Sequence, residues 1–203
     1  MRVYQVQDLE DGLKTPMVVC LGVFDGVHLG HLRLINAAIE LAKKSGYETL
    51  VHTYSPEPFY VLYPFQRQME LTNLQERLRL FEKSGVQHVA VSRFTKEMQH
   101  ESGEQFFYEI LLGKLNAKSI VVGFNHRFGY RGDTDVEKLG RLCEQNKIGL
   151  QVIAPVKTGS GELISSTAIR NALSKKDYAL AEEMLGRPVD EKLMEHFAQC
   201  DQQ

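Results

Sequence analysis

The stretch Val18 to Ala42, VVCLGVFDGVHLGHLRLINAAIELA, limits the possible folds more than any other part of the chain. It opens on a mostly apolar run, Val18 to Phe24, β-branched at its start and closed by Asp25-Gly26. Such a run, ended by a turn signal, predicts a strand buried in a parallel sheet. Beyond His28-Leu29-Gly30-His31, the residues Leu32, Ile35, Ile39 and Ala42 recur at helical spacing and share one face. Arg33, Asn36, Glu40 and Lys43 take the other face, and Ser45-Gly46 is expected to end the helix with a glycine cap.

A strand, a glycine-bearing loop and a helix start make a ready phosphate site. Free backbone N–H groups point outward there, and the helix dipole favours an anion. His28 and His31 stand in that position, and Gly26 and Gly30 have no Cβ to hold a ligand off the backbone. The expectation is a nucleoside triphosphate whose oxygens accept from the two imidazoles. Two alternatives stand beside it: a structural turn with surface histidines, and a metal site. Two histidines are too few for zinc, which takes three or four protein ligands.

Strand and helix patterns alternate along the rest of the chain. Strands are expected at 49–54, 87–92, 118–123 and 150–154, with a short lead-in strand inside residues 1–16. Helical periodicity marks Leu74 to Phe81, Ser102 to Leu112, Val136 to Leu142, Ile164 to Leu173 and Tyr178 to Leu185. Alternation of this kind predicts an α/β sandwich with a parallel sheet of about five strands and a single core. Ligands in such sheets bind beyond the carboxyl ends of the strands.

Totals exclude several classes. With 203 residues, of which 43% are hydrophobic and 25% charged, the composition is that of a globular domain rather than a disordered chain. A net charge of -2 argues against a general nucleic-acid surface, so an anionic ligand must be met by local donors. Cys20, Cys143 and Cys200 are widely spaced and form no CxxC pair; buried thiols in a reducing, cytoplasmic setting are expected. The acidic N-terminal stretch has no apolar core of a signal peptide, and no apolar run is long enough for a bilayer.

Two further segments follow expected strand ends. Ile164 to Arg170, ISSTAIR, puts Ser165, Ser166 and Thr167 at a helix start, with Arg170 one turn on as a forked cation. A simple N-cap with an exposed arginine is the alternative. Phe124 to Gly132, FNHRFGYRG, offers Asn125 to a base or ribose and Phe128 to a ring; a solvated loop is the alternative there. Pro56 and Pro58, with the aromatics after them, suggest an apolar rim or a stiffened loop. Neither GxSxG nor GxxxxGK[ST] is present, which argues against hydrolase-elbow and P-loop chemistry.

Taken together, GVFDGVHLGH (Gly22 to His31), VVGFNHRFG (Val121 to Gly129) and ISSTAIR resemble the adenylyltransferase module of the bacterial FAD synthetases. These belong to the HxGH nucleotidylyltransferase superfamily. Pro56-Glu57-Pro58 and LGRPV (Leu185 to Val189) are also similar to that family, so the resemblance covers roughly residues 17 to 189. It implies a Rossmann-like nucleotidylyltransferase domain over residues 1–188, followed by a C-terminal helix or tail over 189–203. The implied activity is FMN adenylyltransferase: ATP and FMN as substrates, Mg²⁺ as cofactor, FAD and pyrophosphate as products. Another superfamily transferase, or a non-catalytic flavin-nucleotide binder, is the alternative.

The implied roles follow residue by residue. His28 and His31 hold the ATP phosphates; Gly22, Phe24, Asp25 and Gly30 shape their loop. Asn125 lies near the nucleotide, and Ser166, Thr167 and Arg170 close on the triphosphate. Pro56, Pro58 and Phe128 build the flavin side. Glu57 departs from the pattern by standing where histidine is common, and Ala168 replaces a frequent arginine. Residues 190–203 are too few for a riboflavin kinase domain, so kinase activity is not expected.

Overall fold

Strands of four to seven residues, most of them rich in valine, isoleucine or leucine, assemble here into one parallel sheet. The computed structural model describes residues 1–65 and 69–200, the side chains of 192, 196 and 198–200 excepted. Its strands are β1 (Arg2–Gln5), β2 (Met17–Leu21), β3 (Glu48–Tyr54), β4 (His88–Ser92), β5 (Ala117–Gly123) and β6 (Gly149–Ile153). They lie in the order β1-β4-β3-β2-β5-β6, every neighbouring pair parallel. The expected number was about five; the sixth is the lead-in strand, which adds to the edge beside β4.

The helices are α1 (Leu29–Ser45), α2 (Pro58–Leu62), α3 (Leu74–Lys83), α4 (Gly103–Gln105, continuing as a π-helix over Phe106–Lys114), α5 (Val136–Gln145), α6 (Ser166–Ser174), α7 (Tyr178–Leu185) and α8 (Glu191–Cys200). Gly46 closes α1 in the left-handed conformation, as its position predicts. None of the described helices is long and apolar enough to cross a membrane.

Strand periodicity of two sorts the core. Val18 and Cys20 pack with Ile35, Ala38 and Phe81 of α1 and α3 on one face. Met17, Val19 and Leu21 pack with Phe107, Leu111 and Leu139 on the other. All five residues of β2 are buried, because both faces of a central parallel strand are covered. The expectation of a single core needs correction. A separate cluster joins Ile169, Leu173, Met184 and Leu185 of α6 and α7 to Val189 and to Phe197 of α8. Apart from Leu71, its buried positions lie beyond the last strand, so they have no sheet face to cover and instead bury one another.

The buried thiols Cys20 and Cys143 are both unpaired, and burial raises the pKa of each. They are packing groups. The third thiol of the sequence, Cys200, lies outside the described side chains.

Candidate active site

The chain leaves β2 in the middle of the sheet; β3 is added on one side of it and β5 on the other. Helices cannot cover the crevice where the order reverses, and such crevices beyond the strand ends take ligands. A cavity of about 320 Å³ opens there, lined by the ends of β2, β5 and β6 and by the first residues of α1 and α6. Two helix starts therefore face one space. Gly30 and His31 contribute from the first, Ser166 and Thr167 from the second, with the N-caps His28 and Ser165 beside them. The dipoles of these two helix starts, and their N–H groups not taken up by the caps, favour an anion without a single charged side chain in the lining.

The two imidazoles are stacked, with centroids 3.6 Å apart and planes at 18°. His28 caps α1: its Nδ1 accepts from the His31 backbone N–H at 3.3 Å. That acceptor role puts the proton of the neutral ring on Nε2, free to donate. Burial, reinforced by Arg187, lowers the His28 pKa to about 4. Burial also lowers His31, and the charges of His28 and Arg77 push the same way. Both rings are neutral donors at neutral pH.

Close packing explains the glycines better than ligand approach does. A Cβ on Gly30 would sit 3.0 Å from His28 Cε1 and Nδ1, so the glycine makes room for the imidazole itself. A Cβ on Gly22 would meet the Phe24 ring at 2.9 Å. Phe24 takes a left-handed backbone, φ 61°, and its ring lies edge-on to His31 at 5.1 Å. Strain of this kind is held only where the surroundings fix it.

A second cavity, of about 240 Å³, adjoins the first. Val23, Phe24, His31 and Ser166 line both. Asp25, Glu57, Pro58, Phe59 and Arg170 complete the second. Asp25 is 3% exposed and accepts from the backbone N–H groups of Leu71 and Thr72, each at 2.9 Å. Its carboxylate also pairs with Arg170, which donates to the Met69 carbonyl at 2.7 Å. Ser166 Oγ donates to the Asp25 carbonyl at 2.8 Å. Asp25 is thus the joint between the α1 loop, the segment before α3 and α6.

The expected site residues divide accordingly. His28, His31, Gly22, Phe24, Gly30, Asn125, Ser166 and Thr167 line the first cavity. Arg170 does not: it is tied to Asp25 and lines the second. Pro58 lines the second cavity, while Pro56 is exposed and lines neither. Phe128 lies in the sheet's core, 5.3 Å from the Phe106 ring, and lines neither cavity. Its place beside other apolar rings, rather than its loop setting, decides its environment.

Sequence reasoning missed Arg77 and Arg187, whereas the N-cap it offered as an alternative is there, Ser165 Oγ accepting from the Ala168 N–H at 3.1 Å. Arg77 is 1% exposed and donates to Val23 O (2.8 Å) and Tyr54 O (3.2 Å). Arg187 donates to Gly26 O at 2.7 Å and Val27 O at 3.2 Å, locking the Asp25-Gly26 turn from the far end of the chain. LGRPV was the available signal for it.

Several buried imidazoles make stability depend on acid. His28 sits at about 4 and His52 at about 3, both through burial, and His31 is lowered as well. Each folded value lies below the unfolded value of about 6.5, so the unfolded chain binds more protons between them. Their contribution is complete above about pH 6.5 and is lost as pH falls towards these folded values. Glu57 and Glu70, raised chiefly by burial, act in the opposite sense, losing their contribution as pH rises. The imidazoles outnumber them, and the chemical-denaturation midpoint is expected to fall steadily between about pH 6.5 and about pH 4. A flat profile there would show the imidazoles to be solvated.

Fold and cleft together define a class first: a Rossmann-like α/β protein in which two helix starts face one cleft at the switch point of a parallel sheet. The chain belongs to the FAD synthetase family, whose model matches residues 11–168. It is 34% identical over 84% of its length to the FAD synthetase of Listeria monocytogenes, of which it covers 69%. It is 32% identical to the bifunctional riboflavin kinase/FMN adenylyltransferase of Buchnera aphidicola, spanning 84% of this chain and only 54% of that protein. Among solved structures, a macrolide-efflux protein from Streptococcus pneumoniae superposes with a TM-score of 0.79 at 28% identity, over 93% of this chain and 72% of the other. A pantoate-beta-alanine ligase from Francisella tularensis shares the fold, with a TM-score of 0.55 at 15% identity, over 98% of this chain and 85% of that one.

Proposed function

We propose that this chain is an FMN adenylyltransferase, joining the AMP part of ATP to FMN to give FAD and pyrophosphate. The observation that carries this is the wall shared by the two cavities, Val23, Phe24, His31 and Ser166. A nucleotide in the first cavity and a phosphate-bearing acceptor in the second would meet at that wall. The names of the family and of its relatives support the choice of ATP and FMN.

An oxygen of the FMN phosphate forms a bond to the α-phosphorus of ATP as the bond from that phosphorus to pyrophosphate breaks. The FMN phosphate has a second pKa of about 6 and is already ionised at neutral pH, so no protein base is required. The barrier lies in aligning two polyanions and in the charge gathering on the leaving group. Neutral His31, on the shared wall, and the free N–H groups at the starts of α1 and α6 are the donors suited to that charge, while neutral His28, through Nε2–H, would hold other ATP phosphate oxygens. Asn125, on the first cavity, would meet the base or ribose, and Pro58 with Phe59, on the second, the flavin side.

Among the described residues no group of three or more His, Cys, Asp or Glu could hold a metal. Mg²⁺ would be carried in on the substrate phosphates, the usual way this ion is bound. Unpaired, buried thiols suit a reducing cytoplasm. Pyrophosphate release from ATP with FMN, measured with and without Mg²⁺, tests the assignment. Release with FMN but not with other phosphorylated acceptors is expected; FMN binding without release would leave only a flavin binder.

A further inference from the structure

Among the described residues, three buried side-chain atoms have no hydrogen-bond partner: His31 Nδ1, Glu57 Oε1 and Arg77 Nε. Two of the three belong to residues lining the second cavity. Buried polar atoms are paired as a rule, so unpaired ones gathered at one cavity mark where a ligand's atoms belong. Glu57 is 2% exposed, at the start of α2. Its Oε1 lies 3.2 Å from Arg77 Nη1, yet without hydrogen-bond geometry. The two terminal nitrogens of Arg77 donate instead to Val23 O, Thr53 Oγ1 and Tyr54 O. The arginine is therefore committed to the strand ends, and the carboxyl is left facing a cavity that has to admit an anion.

We propose that Glu57 selects the acceptor: its carboxyl, in the neutral form, donates a hydrogen bond to the acceptor's phosphate at the shared wall, and its carboxylate repels that phosphate. This rests on adenylyl transfer to FMN as proposed above, and adds the group that sets acceptor affinity and its response to pH.

The charges around Glu57 come from every side. Asp25 follows β2, His31 stands in the first turn of α1, Tyr60 lies on α2, Glu70 precedes α3, Arg77 is on α3 and Arg170 on α6. Burial first, then Asp25, favour the neutral carboxyl; Arg77 opposes them, Glu70 adds to them and Arg170 opposes. Asp25 and Arg170 already neutralise one another. Among the described residues Arg170 is paired with Asp25 and the terminal nitrogens of Arg77 are taken up by the strand ends, so a carboxyl able to donate is a partner that an entering dianion can use.

The test is flavin binding by fluorescence quenching from about pH 7 to about pH 9, where the FMN phosphate is already a dianion. Riboflavin serves as the phosphate-free probe, and the proteins are wild type, Glu57→Gln and Glu70→Gln. Wild type is expected to lose FMN affinity as pH rises, approaching about tenfold per pH unit once the carboxyl is ionised. Glu57→Gln keeps the size and a donor, and should hold FMN with a flat profile, at least about tenfold tighter than wild type at the alkaline end. Riboflavin should be flat in both, and Glu70→Gln should keep the wild-type slope. Parallel FMN profiles in wild type and Glu57→Gln would overturn the proposal, as would a slope shared by riboflavin or a slope abolished only in Glu70→Gln. The wild-type difference between FMN and riboflavin stands even if the variant folds poorly. Pyrophosphate release is read separately: FMN bound with the expected slope but no release sinks adenylyl transfer, not the part assigned to Glu57.

Discussion

Asp25→Ala is expected to lower the unfolding free energy by about 3–5 kcal/mol, the range for removing one partner of a buried ion pair. The side chains of Asp25 and Arg170 are only 4% and 14% exposed, so the arginine left behind has little water to turn to. The Leu71 and Thr72 N–H groups lose their shared acceptor in the same step. Each unpaired buried donor costs about 1–3 kcal/mol more unless water enters. Urea denaturation measures the loss. A fall below about 1 kcal/mol would mean that α6 and the segment before α3 are held by their apolar contacts alone.

His31→Ala is expected to reduce turnover about 10²–10³-fold in a pyrophosphate-release assay with ATP and FMN, the cost of removing one preorganised donor. His31 is the imidazole on the wall common to both cavities, whereas His28 lines only the first. The two substitutions should therefore differ in kind. Losing His31 should depress kcat, because its contact matters most where bonds change; losing His28 should act more on the KM for ATP. Among the described residues His31 Nδ1 has no hydrogen-bond partner and the ring meets those of Phe24 and His28, so the melting point should move little. A full-speed His31→Ala protein would remove the donor role.

The fold was legible because the apolar runs carry it: each expected strand is there, and Gly46 ends α1 where its position predicted. The two helix starts at His28 and Ser165 were also legible, since N-terminal geometry is local. What was not legible depends on long-range partners. Asp25 reads as half of a turn signal, but its partners stand at Leu71, Thr72 and Arg170, the last of them 145 residues away. Arg170 reads as a cation for phosphate until Asp25 claims it. Phe128 sits in a polar-looking loop, yet the antiparallel bridge between Phe128 and Thr134 folds that loop inward and puts the ring against Phe106. Glycine gave the subtler lesson: Gly30 stands where a ligand approaches, but its missing side chain makes space for His28.

The placement of Arg170, Ser166 and Thr167 after the last strand has a consequence for synthesis on the ribosome. A nascent chain that has emerged through β6 possesses every strand of the sheet and both histidines, yet only part of the pocket's enclosure. The carboxylate at position 25 then waits, solvated, for a guanidinium still inside the exit tunnel. Enclosure of both cavities is thereby deferred until α6 has emerged, and a product halted before α6 would keep the sheet but lack that wall.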